Sequence, residues 1–141
     1  MNMNLSTLKQ LQTRIREATG PDRKLDLEIC RAFDQPMGWS GDIDGLGSHR
    51  YTTDPDGLGA CLALMRTVLP QWRREIFEVL GVSGSVAQSW EIAEVRVKLE
   101  SPSPDTEIRE TNALETHATL LAIIAAKIAE LEAEQEKDRV G

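Results

Sequence analysis

Apolar residues recur at steps of three and four in four stretches of this chain and at steps of two in another. Leu5, Leu8, Leu11, Ile15 and Ala18 make the first stripe, with polar residues between them, which predicts a helix over 5–18. The stripe is narrow, nearer the seam of a coiled coil than the broad face of a core helix. Such a helix lies at a domain edge or pairs with another chain. Gly20-Pro21 stops it, because proline lacks the amide proton and clashes with the preceding turn. Pro21 also suits the first turn of a second helix, with Asp22 favourable near its positive end and Leu25, Ile29, Ala32 and Phe33 on one face. Asp54-Pro55 opens a third helix, whose face is Leu58, Cys61, Leu62, Met65, Val68 and Leu69 and whose end is Pro70. A last helix starts near Thr116 and turns Leu120, Leu121, Ile124, Ile128 and Leu131 inward.

The step of two falls at 92–99, where Val95, Val97 and Leu99 alternate with Glu94, Arg96 and Lys98. This is the period of a half-buried strand. Ser101-Pro-Ser-Pro-Asp105 is a turn, and Glu107 to Asn112 can pair back as a short polar strand. Residues 71–80 fit two patterns. Trp72, Ile76, Phe77 and Leu80 share a helical face, and the alternation of a strand is less clean there, so periodicity slightly favours a helix. Between Asp34 and Arg50 stand Pro36, Gly38, Gly41, Gly45 and Gly47, the composition of a long irregular loop. A sheet needs a cover for its apolar face, and helices flank this one on both sides in sequence. The expected fold is therefore α+β, a small antiparallel sheet sandwiched between helical layers. Its parts would be an N-terminal helix at 1–19 able to serve in assembly, a sandwich domain at 20–131 and an acidic solvated tail at 132–141.

Composition narrows the function. The 141 residues suffice for one core, which must be mostly aliphatic, since hydrophobic residues are 40% of the chain and aromatics 4%. Sixteen basic against 23 acidic residues give a net charge of −7, the wrong sign for a general nucleic-acid binder. The acidity is concentrated from Glu100 onward, with 10 acids against 4 bases. No apolar run is long enough to span a bilayer, and the N-terminus does not read as a secretory signal. Cys30 and Cys61 each fall inside an apolar helical pattern, which suggests reduced, buried thiols in a cytoplasmic protein. A bridge between them stays open, because their helices could pack together.

Four blocks, in order, resemble the phage ABA sandwich domain proteins. Ala18 to Phe33 looks like that family's opening helix. Tyr51-Thr-Thr-Asp-Pro-Asp-Gly-Leu-Gly-Ala-Cys-Leu-Ala-Leu-Met65 is similar to its segment of an aromatic residue, Thr, a short polar loop and an amphipathic helix. Leu69-Pro-Gln-Trp72 sits where those proteins place a tryptophan at the start of a strand, and Thr116 to Ala126 resembles their closing Thr-x-x-x-Leu-Ala helix. The resemblance covers roughly residues 18–131 and implies a small phage or prophage protein, in the host cytoplasm, with a short antiparallel sheet between helical layers. It also implies that 71–80 is a strand, and we follow it there. It supplies no catalytic motif to carry over.

Few residues suggest chemistry. Asp42-Ile-Asp44-Gly45-Leu46-Gly47 recurs as Asp54-Pro-Asp56-Gly57-Leu58-Gly59, but Leu46 and Thr53 stand where a calcium loop needs oxygen ligands. Gly45-Leu-Gly47-Ser48 lacks the strand, the Lys-Ser/Thr pair and the helix of a phosphate loop. Two dispersed cysteines and two dispersed histidines assemble no metal cluster, and Cys61 sits on an apolar face where a thiolate is desolvated. Neither a catalytic constellation nor a cofactor is therefore expected. Trp39, His49, Arg50 and Tyr51 form a polar–aromatic set for a small anionic or nucleotide ligand, the arginine offering a fork of donors and the rings a stacking face. Packing of Tyr51 and Trp39 on the domain is the plainer reading of that set.

The leading expectation is a non-enzymatic phage or prophage accessory protein, a binding or interaction module that forms a homo-oligomer through its helices and does not engage nucleic acid or membrane. The alternatives are a counter-defence sponge that sequesters a small anionic nucleotide signal and, ranked last, a metal-dependent hydrolase using Asp42, Asp44, Asp54 and Asp56.

Overall fold

The computed structural model describes residues 4–20, 22–33, 51–52, 57–83, 89–102, 106–112 and 114–140, with backbone alone at 78–83, 89–94 and 137–140. Seven elements follow in the order α1 (Leu5–Glu17), α2 (Arg23–Ala32), α3 (Leu58–Val68), β1 (Arg73–Ser83), β2 (Ser89–Glu100), β3 (Glu107–Asn112) and α4 (Glu115–Val140). The fold is α+β, with four helices and a three-stranded antiparallel sheet in the order β1-β2-β3 among the described residues.

Local chemistry sets the helix ends. The Asn4 side chain accepts from the Thr7 amide at 2.8 Å and caps α1, whose last turn carries Arg14 and Arg16 beside the negative end of the helix dipole. Asp22 caps α2 by accepting from the Leu25 amide at 3.1 Å, so the helix starts at Arg23 rather than at Pro21. The third helix begins later than Asp54-Pro55 predicts: its N-cap is Gly57, which makes no side-chain capping bond, and Asp54 and Pro55 lie outside the described residues. The Ser101 amide bonds the Thr106 carbonyl at 3.1 Å, between the end of β2 and the start of β3. The Asn112 side chain then accepts from the Leu114 amide at 3.0 Å as the chain enters α4.

Residues 71–80 turn out to be mostly strand. β1 pairs with β2 from Arg73↔Glu100 through Ser83↔Ser89, with one register shift at Val79/Leu80. A ladder of that length outweighs a weak local preference for helix, since each added pair satisfies backbone donors and acceptors that neighbours in sequence cannot see. β3 continues the sheet from Val95↔Asn112 to Glu100↔Glu107.

Ile76 and the buried Val95, Val97 and Leu99 take one face of the sheet, and α4 packs on it against β2 and β3. On its other sides α4 meets α1 and α3, while α2 leans on α1. Ala118, Leu120, Leu121, Ala122, Ile123, Ile124 and Ala126 are all buried, so this helix is covered around its whole circumference. The stack thus runs sheet, α4, then α1 to α3. Among the described residues no helix packs on the opposite face of the sheet, where Phe77 and Arg96 are exposed.

The α1 stripe has a different fate from the assembly seam it suggested. Leu8, Leu11 and Ile15 are buried inside this same chain, against α4 and α2, so they offer no surface to a second one. The acidic stretch after Leu131 stays helical to Val140, with residues 132–136 exposed. No helix of the described residues is long and apolar enough to cross a membrane.

Candidate functional site

Of the four residues weighed as a set for an anionic ligand against simple packing on the domain, Trp39, His49 and Arg50 lie outside the described residues. Tyr51 is described, and it belongs to the core, 1% exposed. Its hydroxyl accepts from the Cys30 thiol at 3.8 Å, and its carbonyl accepts from the Cys61 thiol at 3.3 Å. Burial first, and then the neighbouring thiols and Asp26, push the phenol well above its ordinary pKa, so it stays protonated. Neither cysteine is in a disulfide, and both are buried. Cys61 also lies 4.0 Å from the Thr116 carbonyl, and the Thr116 hydroxyl meets His117 Nδ1 at 3.1 Å. His117 is buried.

Next to Tyr51 stands a polar knot. Asp26 and Thr52 are both 0% exposed. Asp26 Oδ1 accepts from the Thr52 amide and hydroxyl, each at 2.8 Å, and Oδ2 accepts from Arg23 Nη1 at 2.9 Å. The Asp22 amide in turn donates to Thr52 Oγ1 at 2.8 Å. Both oxygens of the carboxylate accept bonds, so the knot ties the 51–52 segment to the first turn of α2. Asp26 carried one sequence signal, its place with Ile29 and Cys30 on the inner side of α2. Its partner is 26 residues away and shares no local pattern with it.

Exposed chemistry gathers instead on the outer face of the sheet. The register lines it up in three rows: Phe77, Arg96 and Thr111; Glu75, Lys98 and Arg109; Arg73, Glu100 and Glu107. Phe77 is 52% exposed, the large apolar side chain left open among the described residues. It borders a groove of about 470 Å³ with Arg96, Lys98, Arg109 and Thr111. The charges are largely paired with each other. Lys98 Nζ lies 2.8 Å from Glu100, 3.2 Å from Glu107 and 3.8 Å from Glu75, and Arg109 Nε lies 2.6 Å from Glu107. Hydrogen bonds to Glu100 and then Glu107 hold the Lys98 ammonium above its ordinary pKa. Arg109, then Lys98, hold Glu107 below its own. A face of this kind can lay an aromatic ring and mixed, pre-ordered charges against another macromolecule. Phe77 had been grouped with Trp72, Ile76 and Leu80 on a helical face, and it is the strand that turns it outward, opposite to Ile76.

The two aspartate pairs considered for metal chemistry, Asp42/Asp44 and Asp54/Asp56, lie outside the described residues. Among the described residues no group of three or more His, Cys, Asp or Glu side chains could hold a metal ion. No family model, curated protein or solved structure matches the chain.

Proposed function

We propose that this protein is a binding and interaction module, non-enzymatic, working in the phage or prophage setting that the four-block resemblance implies. One observation carries the reading: a half-exposed Phe77 set beside the exposed Arg96 on a sheet face where Lys98 and Arg109 pair with Glu75, Glu100 and Glu107. Exposed aromatic and arginine side chains are the anchors most often used at protein interfaces. A small free anion would meet Lys98 and Arg109 already neutralised by Glu75, Glu100 and Glu107. The same pattern suits a protein surface of mixed charge, which can exchange ion pairs one for one.

The test compares the immobilised full chain with its Phe77→Ala/Arg96→Glu variant for proteins retained from a bacterial host lysate. Retention of a discrete species by the wild type and its loss in the variant is the expected result. Equal retention by both would defeat the reading.

A further inference from the structure

By helical spacing, Ala122, Ala126, Ala129 and Ala133 fall on one line of α4. The first two are fully buried, Ala129 is half-buried and Ala133 is exposed. Where that line comes out of the core it forms one wall of an apolar groove of about 500 Å³. The other walls are Val68 and Pro70 at the end of α3, Trp72 just before β1 and Pro102 after β2. Glu130 is the one charged residue of the lining, and Lys127 lies 3.3 Å from it. Further along the helix come Glu132, Glu134 and Glu136, all exposed and none in an ion pair among the described residues. At about 100° per residue, Glu132 and Glu136 flank the alanine line on one side, and Glu130 and Glu134 flank it on the other.

We infer that this groove docks a basic amphipathic helix of another protein, one with an apolar stripe and Lys or Arg along both sides of it. The small alanine side chains let its backbone come close, and the walls around Trp72 take its stripe. The glutamates on each side of the line then meet its cations, as the charged flanks of a coiled coil meet their opposites. Charge also disfavours the other occupants. A second copy would bring its own acidic helix against this one, and the chain carries −7 overall. An anionic bilayer is repelled by the same acids. The groove shares no residue with the one beside Phe77, so this inference goes beyond the function proposed above and is tested apart from it.

The test is fluorescence anisotropy of a labelled helical peptide of leucine and lysine, its leucines at steps of three and four, titrated with the full chain at low salt. Saturable binding is expected, and Ala133→Arg, which sets bulk and like charge on the line, should weaken it about tenfold. Glu132→Gln/Glu134→Gln/Glu136→Gln should weaken it by about the same factor and flatten its dependence on salt. Circular dichroism checks that these variants fold, and all four changed positions are exposed. Phe77→Ala/Arg96→Glu should bind as the wild type does. No binding of the leucine–lysine peptide overturns the inference, as does wild-type binding by Ala133→Arg. A serine–lysine peptide of the same charge bound equally well would reduce the effect to charge alone, and a leucine–glutamate peptide bound equally well would reduce it to apolar contact. Either result also overturns it. If Phe77→Ala/Arg96→Glu loses the peptide while Ala133→Arg keeps it, the peptide sits on the sheet face, and this inference falls while the proposed function stands.

Discussion

At Asp26, burial and hydrogen bonding pull in opposite directions. Removal from water raises the carboxyl above its ordinary 3.8, while Thr52 and Arg23 lower it, and burial is the largest contribution. The folded chain therefore holds this proton to higher pH than the unfolded chain does. The stabilisation linked to it is full below 3.8 and is lost as pH rises through the folded value. Urea unfolding of the wild type and Asp26→Asn across the acidic range should show the wild type losing stability relative to the variant as pH rises. The opposite slope would mean that the Thr52 and Arg23 bonds dominate. Thr52→Val keeps the shape but leaves the Asp22 amide without its acceptor and Asp26 with one donor fewer, so a loss of about 1–3 kcal/mol is expected in the same assay. Little of this was legible beforehand. Tyr51 stood out as an aromatic residue beside His49 and Arg50, and its packing on the domain was the plainer reading, but nothing local named Cys30, Cys61 and Thr52 as its surroundings.

Helix and strand periodicity were legible where one face alone is buried. α1, α2 and β2 are of that kind, and their inward residues Leu8, Leu11, Ile15, Leu25, Ile29, Val95, Val97 and Leu99 follow the steps of the sequence. α4 departs from it in an informative way. Its stripe names five inward residues, yet Ala118, Ala122, Ile123 and Ala126 are buried as well, because the helix is packed on from all sides. The run Leu-Leu-Ala-Ile-Ile-Ala-Ala, apolar at every angle, is the mark of such a central helix. Ile123 lies off the predicted stripe, so its substitution separates the two pictures. Ile123→Ala should cost about 2–5 kcal/mol in chemical denaturation, where a surface isoleucine would cost almost nothing. β1 was ambiguous for a complementary reason: its identity depends on β2, which comes later in the chain, and not on its own spacing.

For the whole molecule, the acidic end and the core are separable. Residues 132–136 of α4 are exposed, and the stretch from Glu132 to Gly141 carries four acids against two bases. Ending the chain at Leu131 should shift the net charge from −7 to −5 and leave unfolding free energy within about 0.5 kcal/mol, read by denaturant titration. A larger loss would place part of the core's support in that extension. The layer order was the least legible property, since it depends on which helix the others surround. That arrangement also governs how the protein is born. α1, α3 and the sheet all lean on a helix that is translated after every one of them. During synthesis, at about 5–20 residues per second, α1, α3 and the sheet leave the ribosome before the helix that they share as a packing partner. The core therefore closes only once α4 has emerged, and a chain stalled before Thr116 would leave Leu8, Leu11, Ile15, Val97 and Leu99 without their cover.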